Sequence, residues 1–199
     1  MITLQQMKEL ENNCGISKIT LMENAGRGIY TSIKEKFPDL KDKRILIVAY
    51  HGNNSGDGFV SARLLCEEAE TDILFIGDED KFKEEAKTNF KRIENSERIQ
   101  TLIDPEQIDF DDYDIIIDAM LGTGSSGELK EPIRSTVDLI NDSKAFKIAV
   151  DIPTGLDPET GEIKEKAVNA DLIVTFHDIK PGLEQFKDKV VIVDIGISK

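Results

Sequence analysis

The chain has 199 residues, of which 39% are hydrophobic and 32% are charged, and its formal net charge at pH 7 is -14. This length fits one domain, which we expect over residues 1–199, and such a domain needs no disulfide or structural metal. The acidic charge argues against nucleic-acid binding, and no apolar run approaches the ~18 residues that span a bilayer. The N-terminus lacks signal-peptide features, and Cys14 and Cys66 have no metal-ligand spacing, so we expect a cytoplasmic protein with free thiols.

The hydrophobic pattern predicts helices that alternate with short strands. Apolar residues at helical spacing predict a helix over 17–36, in which Gly26 and Gly28 indicate close packing against another element. The predicted strands are 45–49, 73–76, 99–103, 115–117, 148–150, 172–176 and 190–193, and the other predicted helices are 57–68, 81–93 and 132–141. This alternation indicates a mostly parallel sheet that is covered on both faces. We therefore predict an α/β fold, a three-layer αβα Rossmann-like domain with a helical N-terminal extension.

Four polar segments directly follow predicted strands. They are residues 51–58, residue 118 with residues 122–127, residues 151–155 and residues 177–182. The carboxyl ends of parallel strands lie along one edge of a sheet, and ligands bind at that edge. The four segments are therefore expected to form one site.

The first of these segments is rich in glycine and asparagine. Gly52, Gly56 and Gly58 allow the backbone to approach a ligand closely, and the helix that follows offers free N–H groups to an anion. The alternative is a tight turn in which Asp57 caps the helix. Residues 122–127 offer consecutive N–H groups, which is typical of an anion-binding nest.

Two aspartates, Asp118 and Asp151, end apolar strands at this edge. Each is a candidate metal ligand, hydroxyl acceptor or general acid–base, and the alternative is a structural cap. Asn54, Asp118 and Thr154 offer hard oxygen atoms, which favours a monovalent cation, with a plain hydrogen-bond network as the alternative. Lys180 is either a phosphate contact or a solvated side chain.

Together these motifs resemble the NAD(P)H-hydrate epimerases, the family with the YjeF N-terminal-type domain. The matching segments are 21–26, 52–58 with 60–63, 118–124, 150–157 and 167–183, and residues 194–197 resemble the family's closing strand. The resemblance covers nearly the whole chain in the family's order.

The resemblance implies an isomerase that interconverts the R and S forms of NADHX and NADPHX, which are nicotinamide cofactors hydrated at ring carbon 6. It implies a potassium ion as cofactor, held by Asn54, Asp118 and Thr154, and Asp151 as a substrate-contacting residue. Epimerisation needs a proton donor or acceptor beside the hydroxyl, and their positions make Asp151 the first and Asp57 the second candidate for this catalytic role. The residues that it implies for substrate binding are Asn53, Asn54, Ser55, Gly56, Asp57, Gly122, Thr123, Gly124, Ser125, Ser126, Gly127, Glu128 and Asp151.

Three positions depart from the family pattern: Tyr50 and Ser55 replace glycines, and Gly127 replaces a common arginine. Tyr50 and Gly127 would support the alternative of a non-catalytic binding module with the same fold, whereas intact Asn54, Asp118, Asp151 and Thr154 argue against it. The length leaves no room for a fused dehydratase, so we expect a separate NAD(P)HX dehydratase to act on the product. The N-terminal helical extension offers a possible homodimer face.

Overall fold

The protein, described here by a computed structural model over residues 1–124 and 127–197, has a single sheet of seven parallel strands. The strands are β1 (Arg44–Ala49), β2 (Glu70–Phe75), β3 (Ile99–Leu102), β4 (Ile115–Ala119), β5 (Phe146–Val150), β6 (Leu172–Phe176) and β7 (Val190–Val193). The α-helices are α1 (Leu4–Asn13), α2 (Lys18–Lys36), α3 (Asn53–Leu65), α4 (Glu84–Ile93) and α5 (Ile133–Asp142). Short 3-10 helices occupy Glu79–Lys81, Pro105–Gln107, Phe110–Asp112 and Pro181–Lys189.

Alternate residues of the strands point into two apolar cores, one on each face of the sheet. On β1, Ile45 and Ile47 lie in the core that α2, α3 and α4 cover, while Leu46 and Val48 lie in the core that α5 covers. The sequence of a strand that is buried on both faces is a continuous apolar run, because neither face of the strand contacts water. The predicted three-layer αβα architecture is confirmed, and all the paired strands of the sheet are parallel.

The two glycines of α2 allow this helix to lie directly on its neighbours. A Cβ atom at Gly26 would lie 2.4 Å from Cβ of Val60 on α3, and one at Gly28 would lie 2.1 Å from Cγ1 of Val193 on β7. The close packing that the sequence predicted is therefore confirmed. It makes α2 an integral part of one helical layer, so that only α1 remains as the N-terminal extension.

The predicted start at residue 57 of the helix after β1 is wrong, because α3 begins at Asn53 and ends at Leu65, and so includes most of the polar segment 51–58. Gly52 is the N-cap, and Asp57 lies inside the helix, so Asp57 does not cap it. Packing overrides the low helix propensity of glycine here. A Cβ atom at Gly56 would lie 2.5 Å from Sδ of Met22, and one at Gly58 would lie 2.7 Å from Cβ of Ala119.

The remaining differences from the predicted elements concern their bounds. Asp118 belongs to β4, where it pairs with Val48 of β1 and Ala149 of β5, instead of following the strand. Residues 194–197 lie beyond β7 and are not its strand residues. Within the two described segments of the chain, no helix combines the length and the apolar character needed to cross a membrane.

Candidate active site

The candidate site lies at the carboxyl edge of the sheet, around the point where the strand order reverses. The strands run in the order β3-β2-β1-β4-β5-β6-β7, so successive strands are added outwards on one side from β1 and on the other from β4. A crevice forms where connections leave the sheet in opposite directions, and ligands of open α/β sheets bind there. The start of α3 and the end of β4 lie on the two sides of this point.

Asp118 is the centre of a buried hydrogen-bond network at this point. Its Oδ2 accepts a bond of 2.8 Å from the backbone N–H of Thr154, and its Oδ1 accepts bonds from the Thr154 hydroxyl (2.7 Å) and from the N–H of Met120 (3.2 Å). Burial raises the pKa of the Asp118 carboxyl to about 6, although the bonds from Thr154 and Met120 oppose this rise.

Leu121 links Asn54 to the same network. The Asn54 side-chain amide donates to the Leu121 carbonyl over 3.1 Å, and the Leu121 N–H donates to the Thr154 hydroxyl oxygen over 3.1 Å. The structure therefore brings together the three residues that the sequence suggested as a cation site. The hydroxyl of Ser55 donates to the Ala119 carbonyl over 2.8 Å, which fixes the start of α3 against the end of β4.

Asp151 follows β5 directly and has a left-handed backbone, with φ of 62°. The N–H of Ile152 donates to the Val150 carbonyl over 2.7 Å, so Asp151 is the central residue of a γ-turn. Such backbone angles are costly for a residue other than glycine and cluster at functional sites. The turn directs the Asp151 carboxylate to a buried lysine.

Lys180 is this lysine, and its side chain is only 1% exposed. Its ammonium donates to Oδ1 of Asp151 (2.7 Å), to the hydroxyl of Thr175 (2.9 Å) and to the carbonyl of Phe176 (2.9 Å). The Thr175 hydroxyl in turn donates to Oδ1 of Asp151 over 3.0 Å. The bonds from Lys180 and Thr175 therefore hold the Asp151 carboxylate in one orientation.

Asp57 on α3 is the second carboxylate near this ion pair. Burial, followed by the negative charges of Asp151 and Glu11, raises its pKa well above the usual value, and the positive charge of Lys180 opposes this rise. A carboxyl group in such surroundings keeps its proton to higher pH and is therefore available there as a general acid. Asp57 and Asp151 thus differ in environment, although both are near the same lysine.

A cavity of about 210 Å³ lies between the segment after β4 and the segment after β5. Its lining residues are Tyr50, Leu121, Gly122, Gly127, Glu128, Leu129, Lys130, Ile133, Ile152, Pro153, Thr154, Gly155, Leu156, Asp157, Glu162 and Lys164. Three predicted substrate-binding residues, Gly122, Gly127 and Glu128, are in this wall. The other described residues of that predicted set are not: Asn53, Asn54, Ser55, Gly56, Asp57, Thr123, Gly124 and Asp151. Ser125 and Ser126 lie outside the described residues. The cavity is largely apolar and contacts the Asp118 network through Leu121 and Thr154.

The family model of the YjeF-related protein N-terminus matches residues 18–182 of the chain. The chain belongs to this family. The predicted family membership is therefore confirmed, and the match extends from α2 to the turn after Lys180.

Two relatives of this YjeF-related chain are named NAD(P)H-hydrate epimerase. The relative from Nitrosopumilus maritimus is 39% identical over 94% of the chain and 89% of its own length. The relative from Elusimicrobium minutum is 34% identical over 100% of the chain and 96% of its own length. A third relative, the bifunctional NAD(P)H-hydrate repair enzyme Nnr of Archaeoglobus fulgidus, is 42% identical over 98% of the chain, which spans 41% of that longer protein.

The YjeF-related fold is also similar to a solved structure. The crystal structure of yeast ynu0, YNL200c, superposes with a TM-score of 0.84 at 22% identity, and the match covers 96% of this chain and 86% of the yeast chain. This similarity confirms the predicted Rossmann-like fold class and concerns the fold alone.

Two residues near the YjeF-related site have surroundings that the sequence did not predict. The sequence offered Lys180 as a phosphate contact or a solvated side chain, and the second alternative is wrong because the side chain is buried against Asp151. A lysine before Pro-Gly is usually solvated, so nothing local indicated that Lys180 is buried against Asp151. Glu11 lies on α1, which the sequence did not predict as a separate helix. The apolar residues Met7, Leu10 and Cys14 at helical spacing contained the signal for that helix and for the side that it buries.

Proposed function

We propose that this chain is an isomerase, an NAD(P)H-hydrate epimerase that interconverts the R and S forms of hydrated NADH and NADPH. The observation that carries this proposal is the similarity to relatives with this name over almost their whole length. The arrangement of Asp57, Asp151 and Lys180 at the ligand-binding edge supports it, because epimerisation needs groups that transfer protons beside the substrate.

Epimerisation at ring carbon 6 requires that a bond to this carbon breaks and forms again. In one route the hydroxyl leaves with a proton as water, while the electron pair of the ring nitrogen forms a double bond to carbon 6. Water then adds to the opposite face and gives up a proton. In the other route the ring opens. Both routes need a proton donor and acceptor at the hydroxyl, and such a group typically contributes about 10²- to 10⁴-fold to a rate.

Asp151 is the first candidate for proton transfer, and Asp57 is the second. The ion pair with Lys180 and the hydrogen bond from Thr175 hold the Asp151 carboxylate in one orientation, and a carboxylate held beside the ring can take part in proton transfer or stabilise positive charge on the ring. Asp57 has a raised pKa, which suits it to donate a proton to the leaving hydroxyl. Lys180 and Thr175 are positioning residues in this scheme, because they act through Asp151.

The substrate would contact the start of α3 and the segment after β4. Gly52 provides no side-chain cap, so the N–H groups in the first turn of α3 are available to an anionic part of the ligand. The proposed contacts are Asn53, Asn54, Ser55, Gly56 and Asp57 on α3, Gly122, Thr123, Gly124, Ser125, Ser126, Gly127 and Glu128 after β4, and Asp151.

A potassium ion at Asn54, Asp118 and Thr154 is part of the proposal. The donor set fits a monovalent cation, because it offers one carboxylate and two neutral oxygens around the Leu121 backbone. In the described segments, no three His, Cys, Asp or Glu side chains group together as a metal site. When bound, the ion would supply positive charge between α3 and β4.

We place the reaction in the cytoplasm, ahead of a separate dehydratase that consumes the S epimer. Some relatives are named as bifunctional repair enzymes, which supports a role in cofactor repair. The test is chromatographic separation of the two NADHX epimers after one of them is incubated with the purified protein. Equilibration faster than in buffer supports the epimerase. If the rate equals that of buffer while NADP still binds, the protein is a non-catalytic module.

A further inference from the structure

The helix α1 turns one of its carboxylates towards the body of the domain. Met7 is buried at 6% exposure, and Leu10 and Cys14 pack against the same core. Glu11 lies four residues after Met7 and therefore on the same side of the helix. Glu11 is half-buried, whereas Glu9 on the same helix is exposed. Glu11 thus belongs to the packed side of α1.

The segment that carries Lys180 fixes the position of α1. The N–H of Ile2 donates to the carbonyl of Ile179, the residue before Lys180, over 2.9 Å. The N–H of Leu4 donates to Oε1 of Glu159 over 2.7 Å. Two backbone donors at the start of α1 are therefore tied to segments that follow β5 and β6, and both segments border the candidate site.

The charge of Glu11 acts on the same groups as the proposed catalytic pair. Burial, followed by the charge of Asp151, raises the pKa of Glu11, while Lys180 and Lys18 lower it. Asp57 in turn experiences the charges of Asp151, Glu11 and Lys180. The carboxyl groups of Glu11, Asp57 and Asp151 therefore all interact electrostatically with the ammonium of Lys180, and Asp151 bonds to it directly. Ionisation of all three leaves excess negative charge in poorly solvated space, so the cluster favours retention of a proton.

We propose that α1 completes the active site and that Glu11 is a positioning residue, which acts on the reaction through the proton of Asp57. This inference rests on the proposed epimerase function. Asp57 gives its proton to the hydroxyl oxygen as the bond to carbon 6 breaks, and water leaves. When water adds to the other face, its surplus proton passes to the Asp151 carboxylate, and proton exchange with solvent then restores the starting states of Asp57 and Asp151. Glu11 lies outside residues 18–182, so the family match does not assign it a role.

The test compares Glu11→Gln with the wild type in the pH dependence of kcat/KM. Loss of the Glu11 charge removes a repulsion, so Asp57 loses its proton at lower pH and the basic limb of the profile moves to lower pH. Each unit of this movement lowers the protonated fraction above the limb about tenfold, so the rate falls on the basic side of the limb and changes little on its acidic side. Glu11→Asp keeps the negative charge, so the basic limb of its profile should lie at the same pH as that of the wild type. Glu9→Gln, an exposed change on the same helix, leaves the profile unmoved.

A second measurement separates this inference from the proposed function. The ¹³C chemical shift of the Asp57 carboxyl group is followed as the pH is changed, and the signal is assigned by its loss in Asp57→Asn. The titration is carried out on the wild type and on two variants without a charge at position 11, Glu11→Gln and Glu11→Ala. A midpoint that moves to lower pH in a folded variant supports the role of Glu11, even if the wild type does not epimerise NADHX. An unchanged midpoint, or a rate that falls equally at every pH, overturns it.

Discussion

The ammonium of Lys180 lies 2.7 Å from Oδ1 of Asp151, in a place where the two side chains are only 1% and 11% exposed. Lys180 uses all three of its donors, because it also bonds to Thr175 and Phe176. Desolvation of two charges costs several kcal/mol per ion, so a buried ion pair is weak support for stability. Its place beside Asp57, at the ligand-binding edge, points instead to a role in positioning Asp151.

We expect Lys180→Met to destabilise the protein. Methionine fills the space but leaves the Asp151 carboxylate buried without its ionic partner, and breaking a buried pair in this way costs about 3–5 kcal/mol. Urea unfolding at pH 7 measures this loss. The double variant Lys180→Met, Asp151→Asn should recover part of it, because no unpaired charge remains. If the loss in the double variant equals the sum of the losses in Lys180→Met and Asp151→Asn, the two residues are not coupled.

We expect Asp151→Asn to lower the epimerisation rate by about 10²- to 10⁴-fold while the protein stays folded. Asparagine tolerates the left-handed backbone at this position better than most residues, so the γ-turn survives, although Lys180 is left buried without its ionic partner and the variant is expected to be less stable than the wild type. Chromatography of the NADHX epimers gives the rate, and circular dichroism checks the fold. Asp188→Asn is the control, because Asp188 is exposed on the 3-10 helix Pro181–Lys189. A full rate for Asp151→Asn would remove Asp151 from the proposed chemistry.

The sequence was sufficient to predict the sheet, its carboxyl edge and the residues that meet there. Apolar runs mark the buried strands, and parallel pairing then places Asp118 and Asp151 at one edge regardless of the exact bounds. The start of α3 was predicted four residues too late because the glycine and asparagine residues before residue 57 have low helix propensity, although Gly56 and Gly58 are both helical. Their helical conformation depends on contacts with Met22 and Ala119, which only the folded chain provides.

Residues that reach the site from distant parts of the chain could not be predicted from local patterns. Lys180 reads as a surface lysine, and its burial depends on the turn after β6 and on the position of Asp151. Glu11 is separated from Asp151 by most of the chain, and only the docking of α1 brings the two charges close enough to interact. Electrostatic clusters of this kind are tertiary features, which no sequence motif encodes.

We expect Gly28→Ala to destabilise the protein, although alanine is the better helix former. The gain in helix propensity is at most about 1 kcal/mol, whereas forcing a methyl group into a packed contact costs about 1–3 kcal/mol. The added Cβ would lie 2.1 Å from Cγ1 of Val193, so α2 or β7 must shift. Gly124→Ala, where no heavy atom lies within 4 Å of the new Cβ, should change the free energy of unfolding by less than about 0.5 kcal/mol. Equal effects of the two changes would contradict this packing.

We expect potassium to stabilise the wild type against heat more than sodium does at equal ionic strength. An ion that binds only the folded state contributes about 2.7 kcal/mol when its concentration is a hundred times its Kd. Differential scanning calorimetry in KCl and in NaCl measures the shift in Tm. The variant Asp118→Asn should lose the difference between the salts, because it lacks the carboxylate of the proposed donor set. An unchanged difference in Asp118→Asn would place any potassium effect elsewhere.

We expect Asp57→Asn to become increasingly more stable than the wild type as the pH rises from 4 to 8. Burial and the charges of Asp151 and Glu11 raise the pKa of Asp57 in the folded protein. An unfolded aspartate has a pKa of about 3.9, so between the two values the folded state binds more protons than the unfolded state. The stability that Asp57 contributes is therefore fully present below the unfolded pKa and is lost as the pH rises through the folded pKa.

Asparagine resembles the protonated acid and carries no charge at any pH, so Asp57→Asn does not suffer this loss. Urea unfolding of both proteins at pH 4, 6 and 8 measures the gap between their free energies of unfolding, which should widen with pH. A gap that stays constant or narrows would mean that the folded protein does not disfavour the Asp57 carboxylate. Asp57 would then have no reason to hold a proton at neutral pH, and it could not serve as the donor to the leaving hydroxyl.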